Sequence, residues 1–430
     1  MTMISGWTPK KLTELADYIN GYAFKPNDWG QEGLPIIRIE QLKNPDAPTD
    51  YFDGKLPPSA IIENGDLIFS WSASLFLRIW QHGRAALNQH LFKVIEREGV
   101  DRAFLKVFIE YYLPSLTAAS HGSTMQHITR KELQRFGAPS PDSKVEQEKI
   151  AEIISTVDRA IGQIEALISK QQRVKTGLTQ DLLSRGIDEH DNLRSEQTHV
   201  FKDSPLGRIP TEWEVHPISK FGSKTRPWLR TGPFGSDLNT KHWVSHGVPV
   251  LTIGSLGEGE VIEADLLFVN DLVSTNLKGF HVTHEDIVFS RVADIGRSLV
   301  IREHQDGWII SSNLMRISLD RARASSEFLY RNIAFNPAIR SQLRASSNSG
   351  GRELVNGPIL SALLFPWPKL CEQERINSRL EAADEKIRLL KNHLNKSLRI
   401  KAGLMQDLLT GKKRVTALLA PEPKREKMYG

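Results

Sequence analysis

Two stretches of the chain carry apolar residues at alternating steps of four and three: Ile150, Ile154, Val157, Ile161, Ile164 and Ile168, and again Ile376, Leu380, Ala383, Ile387, Leu390 and Leu394. That spacing is the seam of a helix packed lengthwise on another helix, so both stretches are expected to be long α-helices. They are copies of one another. Residues 146–183 align with 372–409 at a constant offset of 226, without a gap and with 15 of 38 positions identical, from EQEKI against EQERI to QDLL against QDLL. Each seam loses its apolar character at the same register, Gln171 with Ser397 and Lys175 with Lys401, then resumes at Leu178, Leu182 and at Leu404, Leu408. Gly177 and Gly403 share an interior helical position, where glycine costs up to about 1 kcal/mol relative to alanine, so a close helix approach is expected there. Gly186 and Gly411 mark the two ends. One amphipathic helix alone would ordinarily cover its own domain's core, but two equal stripes are complementary by pseudo-symmetry and favour pairing.

Ahead of each helix lies a segment whose periodicity changes to short β runs, IIRI, DLIFS and HLFKVI in the first and VPVLTI, DIVFS and NLMRISL in the second. RAFLKVFIEYYL and SSEFLYRNIAF have helical periodicity. TRKE at Thr129 to Glu132 reads as a capping box, with its counterpart helix starting after Asn356. The segments correspond through Trp7 and Trp213 at an offset of 206, LPIIRIEQL and VPVLTIGSL at 214, and NGDLIFSWS and HEDIVFSRV at 220, so the second carries about 20 further residues in its loops. The expected fold is mixed α+β, two α/β domains each followed by a long helix, the helices pairing as an antiparallel coiled coil with pseudo-twofold symmetry. Expected boundaries are a first domain at 1–141, a central helix at 142–187, an exposed polar linker at 188–206, a second domain at 207–368, a C-terminal helix at 369–412 and a polar tail at 413–430.

Composition narrows the class. No run approaches the roughly 18 apolar residues of a membrane span, and the N-terminus has no apolar core of signal-peptide length. A single cysteine, Cys371, excludes an intramolecular disulfide and a cysteine-rich metal site. A cytoplasmic protein with no membrane partner is expected. Net charge of +5 suits a phosphate-binding surface without demanding one.

Where the copies differ, the residues suit base recognition. WSASLFLRIWQHGRAALNQH follows Ser70, and RVADIGRSLVIREHQDGWIISSN follows Ser290. A second variable pair is SHGSTMQHITRK and SSNSGGRELVNG. Arg, Asn, Gln, Ser and His present paired donors and acceptors to base edges, although solvated loops have a similar composition. Candidate DNA contacts are Arg38, Arg78, Gln126, His127 and Arg130 in the first domain and Lys224, Arg226, Arg291, Arg297 and Arg352 in the second. Other chemistry finds little support: there is no GxxxxGK[ST] loop, no dinucleotide fingerprint and no Asn-Pro-Pro-aromatic motif. His242 and His246 lack the glutamate of a zinc-protease helix. Asp46, Asp53 and Lys55 suggest a Mg-dependent nuclease, but NPDAPTDYFDGK is dense in turn formers. A coiled-coil adaptor with no DNA role is the other alternative.

The order segment, helix, segment, helix, with APSPDSKVEQEKIAEII and FPWPKLCEQERINSRL leading into the helices, GLTQDLL and GLMQDLL near their ends, the GDLIFS and EDIVFS strands and GPFGSDL at 232–238, resembles the specificity subunit of type I restriction-modification systems over essentially the whole chain. The resemblance implies a non-catalytic DNA-recognition subunit. Each target-recognition domain would read one half of a split, asymmetric site in double-stranded DNA. The helix pair, roughly 57 Å long or about 17 base pairs, would set the spacer. Implied partners are two methyltransferase (modification) subunits and, through them, restriction/translocase subunits. The chain itself would hold no cofactor or metal, and S-adenosylmethionine, ATP and Mg would reside on those partners.

Overall fold

The computed structural model describes residues 5–119, 128, 130–235, 237–257, 259–292, 294–347 and 354–419. The chain divides into two compact units, Met1–Ala166 with Lys391–Gly430, and Leu167–Leu390. Each unit holds one sheet-containing domain, the first part of one long helix and the last part of the other.

Both domains are built around two four-stranded sheets, of which the first has the same strand order in each and the second differs in its edge strand. In the first unit the strands Ala16–Asn20, Leu91–Glu96, Leu67–Ser70 and Phe76–Ile79 lie in that order, all antiparallel. The corresponding order in the second is Leu229–Thr231, Leu314–Ile317, Ile287–Ser290 and Ser298–Val300. The second sheet runs Tyr51–Phe52, Leu34–Ile37, Ala85–Leu87, Ile61–Ile62 in one unit and Trp243–Val244, Leu267–Val269, Val248–Leu251, Ile309–Ile310 in the other, each with one parallel pair. Alternation of side chains along a strand explains why these sheets stack. Leu67 and Phe69 enter the core under the helix Arg102–Ala119, whereas Ile68 between them enters a separate core with Ile37 and Leu87. Ile287 and Phe289 likewise join one core while Val288 joins another. The expected mixed α+β fold is therefore found, with strands in the runs DLIFS, HLFKVI, VPVLTI, DIVFS and NLMRISL; of IIRI only Ile36 and Ile37 are strand, Ile39 opening the helix Ile39–Lys43.

The long helices span Lys144–Ser184 and Leu370–Leu409. In the first unit Ile150, Ala151 and Ile154 share a core with Leu408 and Leu409; in the second Leu182 and Leu183 share one with Ile376 and Leu380. The start of each helix thus lies against the end of the other, the antiparallel sense. Ile161, Ile168 and Ile387 are buried, and Val157, Ile164, Ala383, Leu390 and Leu394 half-buried. The polar breaks in the seam have a clear cause. Lys175 pairs with Asp384, and at an offset of 226 Lys401 pairs with Asp158 at 2.6 Å. Such partly exposed ion pairs stabilise by at most about 1 kcal/mol each, so register rather than stability is their contribution. The close approach expected at Gly177 and Gly403 is not found: a Cβ there would meet nothing within 4 Å, and both face open space.

What ties each domain to the helices is the EQ pair that opens them. Glu146 accepts hydrogen bonds from Arg414 Nε (2.6 Å), Arg414 Nη2 (2.8 Å) and Trp7 Nε1 (3.4 Å). Glu372 accepts from both Arg194 Nη atoms, from Trp213 Nε1 (3.2 Å) and from the Ile187 amide (3.1 Å). Each carboxylate is buried and receives its arginine from the segment that follows the other helix. The neighbouring glutamine does the same for the backbone. Gln147 Oε1 accepts from the Asp101 amide and Gln373 Oε1 from the Ser325 amide, both at 2.9 Å, while their Nε2 atoms donate to Pro141 and Pro368. Asp101 and Ser325 themselves accept from the amides of Phe104 and Phe328 at the helix starts, so one glutamine fixes a helix cap to the rod.

The stretch 188–206, expected as an exposed linker, therefore carries a buried arginine, and Phe201–Ser204 pairs with Gly207–Pro210 as a hairpin. The tail likewise supplies Arg414 and buried Val415. Gly186 and Gly411 have φ of +63° and +72°, the left-handed caps expected of them. At Gly186 a Cβ would fall 2.2 Å from Glu372 Oε1 and 2.4 Å from Trp213, so glycine is required there by space as well as by φ.

Replacing Glu372 with Gln leaves Arg194 buried without a counter-charge, which should cost about 3–5 kcal/mol. Glu146→Gln should cost less, because Arg414 is 28% exposed where Arg194 is 8% exposed. Urea denaturation measures both; equal losses below about 1 kcal/mol would contradict the role given to the buried pair.

Candidate nucleic-acid interface

Described residues from the variable stretches of each domain meet at one end of the first sheet. In the first unit the residue after the central strand, Trp71, accepts a hydrogen bond from the Ile128 amide (3.0 Å) and donates its Nε1 to Gln89 O (3.3 Å). Its ring stacks on Phe92 and lies 5.9 Å from His90. The Gly21–Tyr22 segment passes close beneath: the Tyr22 amide donates to Leu87 O (2.7 Å) and the Gln89 amide to Tyr22 O (2.9 Å). Arg130, opening the short helix Arg130–Arg135, donates Nη2 to Asn20 Oδ1 (2.9 Å) and Tyr18 O (3.2 Å). Three loops and a helix start are thus stitched together around Trp71, His90 and Asn20.

The second unit repeats the arrangement with other side chains. Arg291 follows the central strand where Trp71 follows its counterpart, accepts from the Val355 amide (2.9 Å) and donates its own amide to Asn313 O (3.1 Å). Gly232 packs on Ser311 as Gly21 packs on Leu87: an added Cβ would lie 2.0 Å from Ser311 O in one case and 2.2 Å from Leu87 O in the other. Glycine lets the backbone cross here, and the tip beyond it carries Phe234, 62% exposed, beneath the Arg291 guanidinium. The helix Gly357–Ala362 is capped by Asn356 Oδ1, as expected, whereas Thr129 of the matching motif lies outside the described residues.

The candidate contacts scatter around this frame. Arg291 and Arg130 lie in it, and Arg297 lies in the same loop, held by Asp294 and by Leu256 O. Gln126, His127 and Arg352 lie outside the described residues. Arg38 is elsewhere, paired with Asp50 at 2.7 Å and set over the Trp29 ring. Arg78 is exposed on the strand Phe76–Ile79, and Lys224 is exposed ahead of the strand Leu229–Thr231. Arg226 sits near the opposite end of the central strand from Arg291, donating to Thr283 Oγ1 (2.8 Å) and pairing with Asp286 at 3.1 Å.

That opposite end has a repeated structural role. Asp66 accepts the Glu63 amide and pairs with Lys93 at 2.8 Å, as Asp286 accepts the Thr283 amide and faces buried Arg316. Lys93 donates to Ile61 O and Arg316 to His281 O, the same position at an offset of 220. Burial, and then repulsion from Arg226, push the Arg316 guanidinium down to about 10, while Asp286 opposes the shift. Arg226 thus belongs to a cation-rich buried cluster that holds the sheet.

Sequence reasoning did not single out Trp71, His90, Asn313 or Phe234. Their signal lay in the matched strand ends, since residue 71 aligns with 291 at the offset of 220. His242 closes a short turn by accepting from the Asn239 amide, and Asp46 lies in a turn held by Asn44. Among the described residues no group of three His, Cys, Asp or Glu side chains is placed to hold a metal, and no helix is long and apolar enough to cross a membrane.

Comparison with known proteins places this arrangement. The family model for the type I restriction modification DNA specificity domain matches residues 4–172 and 210–399. The specificity subunit of the type I restriction enzyme EcoBI of Escherichia coli is 23% identical over 424 residues, covering 95% of this chain and 86% of that one. The MjaVIII specificity subunit of Methanocaldococcus jannaschii is 22% identical, covering 96% and 94%. Among solved structures, the S subunit of a type I restriction-modification system from M. genitalium superposes with a TM-score of 0.55 at 14% identity, over 95% of this chain and 98% of that one. A chain from a structure of type I restriction-modification complex assembly superposes with a TM-score of 0.60 at 14% identity, over 96% and 100%. The chain belongs to the type I restriction-modification specificity family, and is a non-catalytic specificity subunit whose membership implies DNA and other subunits of such a system as partners.

Proposed function

We propose that each domain reads one half of a bipartite, asymmetric site in double-stranded DNA through the loops gathered at the end of its first sheet. The observation that carries this reading is the residue-for-residue repetition of that loop junction, Trp71 with Arg291, Gly21 with Gly232 and Ile128 with Val355, with the scaffold kept and the side chains changed. A device built twice with different tips reads two different things. The helices supply the distance, and half-site separation follows their length, while contacts from exposed cations such as Arg78 and Lys224 to phosphates set the register. Arg130 and Arg291 lie at the junction and remain base-contact candidates, and Gln126, His127 and Arg352, outside the described residues, remain candidates from the sequence. Arg38, Arg226 and Arg297 are each held in an ion pair, Arg297 within the loop after Ser290 and the other two away from the junction.

The helix pair, through the seam residues and the Lys175–Asp384 and Lys401–Asp158 pairs, forms the spacer. Its outer faces dock two methyltransferase subunits that carry S-adenosylmethionine, and ATP- and Mg-dependent restriction subunits join that core. The chain's own contribution is positional: it binds, orients and measures, and supplies no group to methyl transfer. The adaptor alternative gives no account of why loop chemistry changes while loop framework is retained.

Selection of duplexes from a randomised pool by the full chain with its methyltransferase subunits should yield two conserved blocks at fixed spacing. Exchanging residues 71–90 for the equivalent loop of another specificity subunit should change one block and leave the other and the spacing intact; joint change of both would contradict modular reading. Gly232→Ala should damage recognition of the second block alone and Gly21→Ala that of the first alone, because the added methyl meets backbone oxygen at about 2 Å in either case. Equal recognition of both blocks by both variants would contradict the placement of the reading edge.

A further inference from the structure

We propose that Arg291 reads a guanine in the half-site of the second domain, with Phe234 as the platform that orients its guanidinium; this rests on the DNA-reading function just given. The argument begins with which arginines are available. At the loop junction of the second unit, Arg297 is consumed by Asp294 and by Leu256 O. Arg226 is consumed by Asp286, Thr283 and His281 O. Arg291 differs. Its backbone is fixed on both sides, by the Asn313 carbonyl and the Val355 amide, yet its Nε is buried with no hydrogen-bond partner among the described residues.

Its guanidinium carbon lies 5.8 Å over the ring of Phe234, within the range in which a cation is attracted to an aromatic face. Stacking engages the face of the planar fork and leaves its edge donors unused. A fork set over a ring, whose Nη donors have no hydrogen-bond partner among the described residues, matches the paired acceptors O6 and N7 that guanine alone presents in the major groove. Phe234 has no other evident reason to be exposed. It lies on a tip between Gly232, which must be glycine for the backbone to pass Ser311, and Gly235, around which a Cβ would meet nothing. The first domain places Trp71 at the matching position, stacked on Phe92, so the two domains put different chemistry at one reading point.

The test uses the full chain assembled with methyltransferase subunits, on duplexes carrying its selected motif. Each guanine of the second half-site is replaced in turn by 7-deazaguanine, which lacks the N7 acceptor. One replacement should weaken binding by the wild type about 10-fold or more, while Arg291→Ala binds both duplexes equally and keeps full discrimination in the first half-site. Phe234→Ala, a change at an exposed tip that leaves the core untouched, should lower the same discrimination several-fold. The assignment is overturned if no guanine responds to the replacement, if Arg291→Ala and Phe234→Ala retain the wild-type discrimination, or if they weaken binding to all sequences alike, as loss of a phosphate contact would. A wild type that binds every sequence equally would overturn the DNA-reading function itself, whereas sequence-specific binding indifferent to Arg291 and Phe234 overturns only this residue's role.

Discussion

A buried carboxylate at the first turn of each long helix is the constraint on which the rest depends. Glu146 and Glu372 sit where leaving a charge without a partner would be prohibitive, and each is satisfied by a tryptophan from its own domain and an arginine from beyond the end of the other helix. Three pieces of chain, distant in sequence, are obliged to meet at one carboxylate. The neighbouring glutamine extends the same logic to the backbone, spanning a proline carbonyl on one side and a helix-capping residue on the other. A domain is thereby oriented on its helix by hydrogen bonds that tolerate little angular freedom.

That fixity suits the reading proposed for the two domains. A reader of split DNA must hold two loop sets at a set distance and orientation, since base contacts are directional and a small misplacement forfeits them. In the reading proposed above the helices supply that distance, and the matched lysine–aspartate pairs in their seam give them a register. One central strand of each first sheet is buried along its whole length, Leu67–Ser70 and Ile287–Ser290, and leads directly into the residue that the proposal assigns to the reading point, Trp71 or Arg291.

Much of the fold was legible because it was written twice. Fifteen identities at a single offset identified the helices, and the identical Asp158, Lys175, Asp384 and Lys401 that puncture an apolar seam proved to be its cross-links. The arginine anchors were not legible: Arg194 follows Gly186 by eight residues and Arg414 follows Gly411 by three, so no fixed spacing marks them, and their surroundings read as linker and tail. The candidate site was legible as a set of loops but only partly as residues. Sequence composition cannot tell an arginine with a carboxylate neighbour from one without, and Arg38 acquires Asp50, and Arg226 acquires Asp286, only when the sheets assemble. Gly177 and Gly403, read as points of close approach, face open space because the seam runs along another side of each helix.

The most direct measurement is a genome-wide map of adenine methylation in cells containing this chain and its methyltransferase, set against cells lacking only this chain. The account predicts that one split motif, two blocks at a constant separation, loses its methylation when the chain is removed while all other methylated motifs persist. A methylation pattern unchanged by its removal would contradict the claim that this subunit chooses the sites.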